Sequence, residues 1–393
     1  MSTELVLLDP ETTGHHREYL MHLGQSLSQH ESKSISHFYV HQTVKEELDA
    51  VYASHATLRI KAIPADLMDR SAQIKYVLKR FEGRAIRLFF PRLNSYLKPL
   101  LGLADPIKRD LGCVSGIWFG PQSAALVYPG GGLLKKLAGY LELFRLRRLR
   151  NEVGLRKLYV LNDTLTSDLM ARKLLLEEGV QSLADPLPRS VSSGSCSQIR
   201  KELGIAPDAK VFGLLGALRE GKGVEETLNA FAVWQPATVV PPVLLISGQP
   251  QPAFLGKFEA LVVTWWTQVT KVKLVCRSEY LDEKAFRDYV DLCDFVLLPY
   301  RNAFGSSGLL GHAANAKRPV LSTRNGLLGD LVQQYSLGGV FDATKVDHFC
   351  RVLDQASGGH ICMDAQLAES YLSRNSVGAF VDSIGQGELA NHV

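Results

Sequence analysis

Three short segments gather cations, hydroxyls or imidazoles beside glycine, each where an apolar run gives way to a helical pattern. In Gly216-Ala217-Leu218-Arg219-Glu220-Gly221-Lys222-Gly223, Arg219 and Lys222 set two positive charges between one element and the next. A helix N-terminus adds outward N–H groups and the positive end of its dipole, so this loop suits a diphosphate carrying about two negative charges. The string also comes close to a phosphate-binding P-loop, with Gly216, four residues, then Gly221-Lys222. Gly223, however, stands where magnesium coordination needs a Ser or Thr hydroxyl, and no apolar strand ending in Asp follows as a companion. A nucleoside triphosphatase is thus the weaker reading, and two solvated cations in a turn the plainest.

The second segment runs from Tyr300-Arg301 through Gly305-Ser306-Ser307-Gly308 to His312. Gly305 and Gly308 permit close backbone approach, while N–H groups and hydroxyls of a first helical turn bind phosphate oxygens. A helix simply capped by serine is the alternative. The glycines stand too close together for a Gly-x-Ser-x-Gly nucleophile elbow. The third segment, 8–20, holds Gly14, His15 and His16 ahead of a helix whose apolar face runs Tyr19, Leu20, Leu23 and Leu27. Gly14 leaves room for a ligand or an opposing domain, and either histidine can donate to a phosphate or act as a base; one that merely caps or packs is the alternative.

The elements that must position these segments are α/β in pattern. Apolar runs at 211–215, 243–246, 272–275, 295–298, 319–321 and 339–341 read as buried parallel strands, and amphipathic helical stretches separate them. The first half repeats the theme at 5–8, 35–40, 58–60, 86–90, 114–118 and 158–161. Between the halves, Pro186 and Pro188 precede a Ser/Gly-rich stretch at 190–197, which sets the boundary. The expected architecture is two Rossmann-like doubly wound domains facing across a cleft, with ligands beyond the carboxyl ends of the strands.

Taken together, the strand-loop Gly-x-Leu-Arg-x-x-Lys-Gly, the Phe304-Gly305 loop with its helix running to Ala313-Ala314-Asn315-Ala316-Lys317-Arg318-Pro319-Val320, and the Pro299-Tyr300 strand close resemble the glycosyltransferase family 4 domain of GT-B enzymes. The resemblance covers most of 185–375. It implies an N-terminal acceptor-side domain over 1–187, a nucleotide-sugar-binding domain over 188–371, and a closing helix about 372–393 returning to the first domain. It further implies that Arg219 and Lys222 face the donor diphosphate, that Gly14 lies in a glycine-rich turn presented to the donor, and that the stretch holding Arg277 and Tyr280 receives the nucleotide base. Retention of anomeric configuration is likewise implied. One departure stands out. The family's Glu-x7-Glu falls either on Phe304 and His312, counting from Pro319, or on Asn302 and Leu310, counting from Phe304-Gly305; neither count finds a glutamate. His312 can still hydrogen-bond a ribose hydroxyl, and Ser306 and Ser307 a phosphate or sugar. The implied activity is transfer of a sugar from a nucleotide-diphosphate donor to a saccharide, lipid-linked or other acceptor, without a metal or other cofactor. A non-catalytic nucleotide-sugar-binding protein or partner subunit is the alternative.

Composition sets the outer limits. The 393 residues are enough for two cores, and 46% hydrophobic with 21% charged residues is an ordinary globular balance. A net charge of +4 is too small for a general nucleic-acid binder. Six scattered cysteines without a Cys-x-x-Cys pair argue against a disulfide scaffold or zinc site. No apolar run approaches the roughly 18–20 residues of a membrane span, and the opening Met1-Ser2-Thr3-Glu4 lacks a basic leader region, so a cytoplasmic location is expected. The densest basic stretch, 133–150, places Leu134, Leu137, Leu141, Phe144 and Arg148 on one helical face, with most of its cations off it. It is read either as a surface helix packing those residues on the first domain, or as an amphipathic helix giving peripheral contact with an anionic membrane.

Overall fold

Runs of Val, Leu, Ile and Phe, most of them buried on both sides, become most of the strands of two all-parallel sheets in the computed structural model of the chain. It describes residues 4–12, 16–29, 35–103, 108, 111–129, 132–187, 189, 194, 196–268, 270–301, 305–385 and 388. The chain divides into two compact units, one made of Met1–Pro186 with Asn375–Val393 and the other of Leu187–Arg374.

In the N-terminal unit the strands are β1 (Glu4–Asp9), β2 (Ser36–Val40), β3 (Leu58–Ala62), β4 (Ile86–Phe90), β5 (Leu111–Trp118), β6 (Leu155–Val160) and β7 (Val180–Ser182). Their order across the sheet is β3-β2-β1-β4-β5-β6-β7. Leu5, Leu7, Phe38, Val40 and Phe89 share a core with Tyr19, Leu20, Leu23 and Leu27 of helix His16–Gln29. Strand β7 has only three residues, none of them buried, and carries no hydrophobic signature.

Two sequence expectations are corrected in this unit. The closing helix expected about 372–393 is not continuous in its described part, which holds the end of helix Ala365–Arg374 and a separate helix Val377–Ile384. Asn375 and Ser376 break it: Asn375 Oδ1 accepts the Asp185 N–H at 3.2 Å, and Ser376 Oγ caps the second helix by accepting the Ala379 N–H at 3.2 Å. Leu372 joins the core of the C-terminal unit, whereas Phe380, Val381 and Ile384 join that of the N-terminal unit. The second correction concerns the basic helix, Leu133–Val153. It packs through Gly139, Glu142, Leu143, Leu146, Leu149 and Val153, leaving the Leu134, Leu137, Leu141 and Phe144 face exposed. Glu142 decides the rotation, because its two carboxylate oxygens accept from Asn94 Nδ2 at 2.7 Å and from the Ser123 N–H at 2.9 Å.

The C-terminal unit contains β8 (Val211–Leu215), β9 (Val243–Ser247), β10 (Lys273–Arg277), β11 (Phe295–Leu298), β12 (Val320–Thr323) and β13 (Gly338–Phe341), in the order β10-β9-β8-β11-β12-β13. One face of the sheet is covered by a core that includes Val211, Leu245, Val296 and Leu310, the other by one that includes Phe212, Phe231, Trp234 and Phe349. The strand order reverses between β8 and β11, so the helices that follow these two strands cover opposite faces of the sheet, and the carboxyl ends of the two strands are where a ligand crevice is expected. The described residues that follow these strands are 216–223, and 299–301 with 305–307. Among the described residues, no helix is long and apolar enough to cross a membrane.

Candidate functional site

Glycine shapes the first loop. Gly216, Gly221 and Gly223 have φ of +92°, +85° and +74°, values that side-chain-bearing residues rarely adopt. At Gly223, which precedes helix Val224–Val233, a Cβ would come within 2.0 Å of the Pro299 carbonyl oxygen, so glycine lets the β8 loop lie directly on the β11 loop. The Arg301 N–H donates to the Gly221 carbonyl at 3.0 Å and joins the two loops through their backbones. Leu218, which is buried, pins the first loop to the turn after β9: its N–H donates to Gln249 at 3.0 Å, and its carbonyl accepts from Gln251 at 2.8 Å.

On this frame Lys222 is half-buried, with Nζ donating to the Tyr300 hydroxyl at 2.6 Å and lying 3.9 Å from the ring centroid. The Tyr300 carbonyl in turn accepts from Thr323 Oγ1 at 3.0 Å, which fixes the tyrosine. The Tyr300 hydroxyl lies 3.5 Å from Ser307 Oγ. Ser307 occupies the cap position of helix Gly308–Asn315 yet makes no side-chain cap bond, so the serine-capped alternative does not hold. Ser306 Oγ is buried and has no hydrogen-bond partner among the described residues. Ser247 Oγ, at the end of β9, is in the same condition. The crevice therefore collects an ammonium, hydroxyls and a helix N-terminus, donors suited to an oxygen-rich anion.

Further along the same helix, His312 is half-buried and meets the Phe286 ring edge-on at 5.2 Å between centroids. Phe286 also stands 3.6 Å from where a Cβ on Gly216 would be, so His312 and Gly216 border one aromatic side chain. Of the two positions that spacing offers for the family's second glutamate, Leu310 is wholly buried in the core and His312 is not. Arg219 is exposed, and among the described residues it forms no ion pair. Arg277 ends β10, two strands from β8, and Tyr280 follows it; both are exposed, and among the described residues neither of them hydrogen-bonds or pairs with Lys222, Tyr300 or Ser307. Gly14 and His15 lie outside the described residues, and His16 is the first residue of its helix. Gly305 and Gly308 flank the two serines as expected.

Two features escaped the sequence reading. Tyr300, which opens the second segment at the close of its strand, is the partner of Lys222, 78 positions away. Arg301 is surrounded by Glu220, Glu225 and Glu226, and its contact with Glu226 raises its pKa further above the usual guanidinium range. The Glu225-Glu226 pair in the first turn of the following helix was the available signal.

No protein-family profile and no curated protein sequence matches this chain. Solved structures do. HepE of Anabaena, in complex with UDP and glucose, aligns with a TM-score of 0.70 at 12% identity over 98% of this chain and 99% of its own. WaaG, a glycosyltransferase involved in lipopolysaccharide biosynthesis, gives 0.65 at 15% identity over 99% of this chain and 100% of its own. Sucrose-phosphate synthase of Thermosynechococcus elongatus gives 0.65 at 13% over 98% of both chains. The chain accordingly has the GT-B fold.

Proposed function

We propose that this protein is a glycosyltransferase that takes a sugar from a nucleotide-diphosphate-sugar donor and attaches it to a saccharide, lipid-linked or other acceptor. The observation that carries the reading is the half-buried Lys222 ammonium, oriented by Tyr300 beside Ser307 and an uncapped helix start, at the point where the strand order reverses. The HepE structures that resemble this chain, some solved with UDP or UDP-glucose, support a nucleotide sugar as the ligand class.

In this reading, negative charge grows on the leaving phosphate as the bond to the anomeric carbon breaks. Lys222 retains two N–H donors beyond the one directed at Tyr300 and stabilises that charge together with Arg219, the serine hydroxyls and the first helical N–H groups. The cations take the part that a metal ion plays elsewhere, so the reaction runs without one. His312 is assigned to the donor ribose, and the end of β10 with Arg277 and Tyr280 to the base. The N-terminal unit is assigned the acceptor, with His15 or His16 as phosphate donor or base. Retention at the anomeric carbon is the outcome the family resemblance implies.

The test is thermal unfolding with UDP, GDP, ADP, TDP and their sugar conjugates in the presence of a chelator, comparing the wild type with Arg219→Ala/Lys222→Ala. A ligand at 100 times its Kd adds about 2.7 kcal/mol. One diphosphate stabilising only the wild type supports the donor site, and stabilisation by none of them overturns it. A non-catalytic nucleotide-sugar-binding protein is the second reading, motivated because His312 or Leu310, depending on the count, stands where the family carries its second carboxylate. Donor binding without donor hydrolysis or transfer would select it, and the anomeric signal of any product reports retention.

A further inference from the structure

Helix Leu133–Val153 presents to solvent six large apolar side chains, Leu133, Leu134, Leu137, Tyr140, Leu141 and Phe144, each between 45% and 82% exposed. At 3.6 residues per turn they form one continuous stripe about 17 Å long. The stripe is not a core face left open by loose packing. The opposite face is already seated on the N-terminal unit, where a Cβ on Gly139 would lie 2.8 Å from Ser123 Cα and where Glu142 is anchored by Asn94 and Ser123. Lys136 and Arg147 border the stripe on one side and Arg145 on the other, while Arg148 lies over the Phe144 ring with 5.9 Å to its centroid.

Charge decides what covers this face. The helix has two acidic residues: Glu142 is buried, and Glu152 in the last turn is paired with Arg148. A second copy of the chain meeting the same face would bring cation against cation with no exposed carboxylate along the stripe to pair them. An anionic lipid surface supplies the missing charge, accepts the apolar side chains below its headgroups, and lets the flanking Lys and Arg extend to the phosphates. We propose that this helix lies in the plane of an anionic bilayer and docks the N-terminal unit on it. The inference rests on the exposed stripe and does not depend on the glycosyltransferase reading.

The experiment is flotation of the full chain with vesicles of phosphatidylglycerol mixed with phosphatidylcholine, against vesicles of phosphatidylcholine alone. The wild type is expected to float with the anionic vesicles at low salt and to be released as salt rises. Leu137→Glu/Phe144→Glu should lose binding by about tenfold or more, and Lys136→Ala/Arg147→Ala by about thirtyfold, from about 1 kcal/mol per cation near the surface. All four positions are at the protein surface, so unchanged melting temperatures serve as the folding control. Wild type that stays unbound overturns the proposal, as does Leu137→Glu/Phe144→Glu binding like the wild type. Sedimentation equilibrium showing a dimer that Leu137→Glu/Phe144→Glu disperses, without vesicle binding, also overturns it and gives the face to a second copy. The donor melting assay on the same variants should be unchanged, which separates failure here from failure of the donor site.

Discussion

The two sheets reverse their strand order at equivalent points, between β1 and β4 in one unit and between β8 and β11 in the other, yet the chemistry gathered there is opposite. At the β8 end, the ammonium of Lys222 meets a neutral phenol, Arg219 is exposed, and Ser306 Oγ is unpartnered among the described residues. Beside the β1 end the charges are closed on themselves. Asp9 is buried and accepts the Glu11 N–H at 3.1 Å, and Glu11 forms an ion pair with Arg70. Arg70 also donates to the Tyr96 hydroxyl at 3.2 Å and to Gln73 Oε1 at 3.3 Å. Burial pushes the Tyr96 hydroxyl pKa well up and keeps it neutral within that network. The topology places a strand-order reversal in both units, but at the β8 end Lys222, Arg219 and Ser306 leave positive charge and donors uncommitted among the described residues, whereas beside the β1 end Glu11 and Arg70 pair with each other.

The most severe way to break this difference is to deny the two C-terminal loops their contact. Gly223→Ala forces a side chain into φ +74° and against the Pro299 carbonyl. The expected loss is roughly 3–5 kcal/mol of stability, seen as a large fall in Tm together with loss of any diphosphate response. Lys222→Ala leaves the loop backbone intact and removes the ammonium. Donor turnover should fall by about 2.7–4 kcal/mol in barrier, a hundredfold or more, with Tm nearly unchanged. Turnover within a few-fold of wild type would show that the cation is not at the reacting phosphate.

Much of this was legible in the sequence, and the reasons differ by region. Strands β8, β9, β11 and β12 of the C-terminal unit are buried on both faces, so their apolar runs stand out from the amphipathic helices between them. The loop residues Arg219, Lys222, Ser306 and Ser307 were found because glycine marks where the backbone must turn. What could not be read depended on partners far along the chain. Lys222 and Tyr300 are 78 positions apart, and the rotation of helix Leu133–Val153 is set by Asn94 and Ser123. That helix carries two candidate apolar faces, and leucine spacing alone favoured the one that remains exposed.

A smaller effect tests the closed end. Arg70→Ala strips Glu11 of its guanidinium and Tyr96 and Gln73 of a donor, at a cost of about 1–3 kcal/mol to the N-terminal unit. If the β1 end is structural, Tm falls while the melting shift induced by the diphosphate stays the same size. A reduced shift would mean that this network also supports the donor.

The smallest expected change discriminates between cations within one crevice. Arg301 leaves the second loop only a few residues from Ser306, so proximity alone would count it with Lys222 and Arg219. Its guanidinium, however, faces three glutamates, Glu220, Glu225 and Glu226, and Glu225 is shared with Lys257. A charge already neutralised at the surface has little left to offer an incoming diphosphate, and breaking such an exposed network changes stability by about 0–1 kcal/mol. Arg301→Ala should therefore leave donor affinity within about twofold of wild type, whereas Arg219→Ala weakens it by severalfold, about 1 kcal/mol or more for a charge-assisted contact. Equal losses in the two variants, measured by titrating the melting shift, would mean that summed positive charge rather than the uncommitted cations governs binding at this crevice.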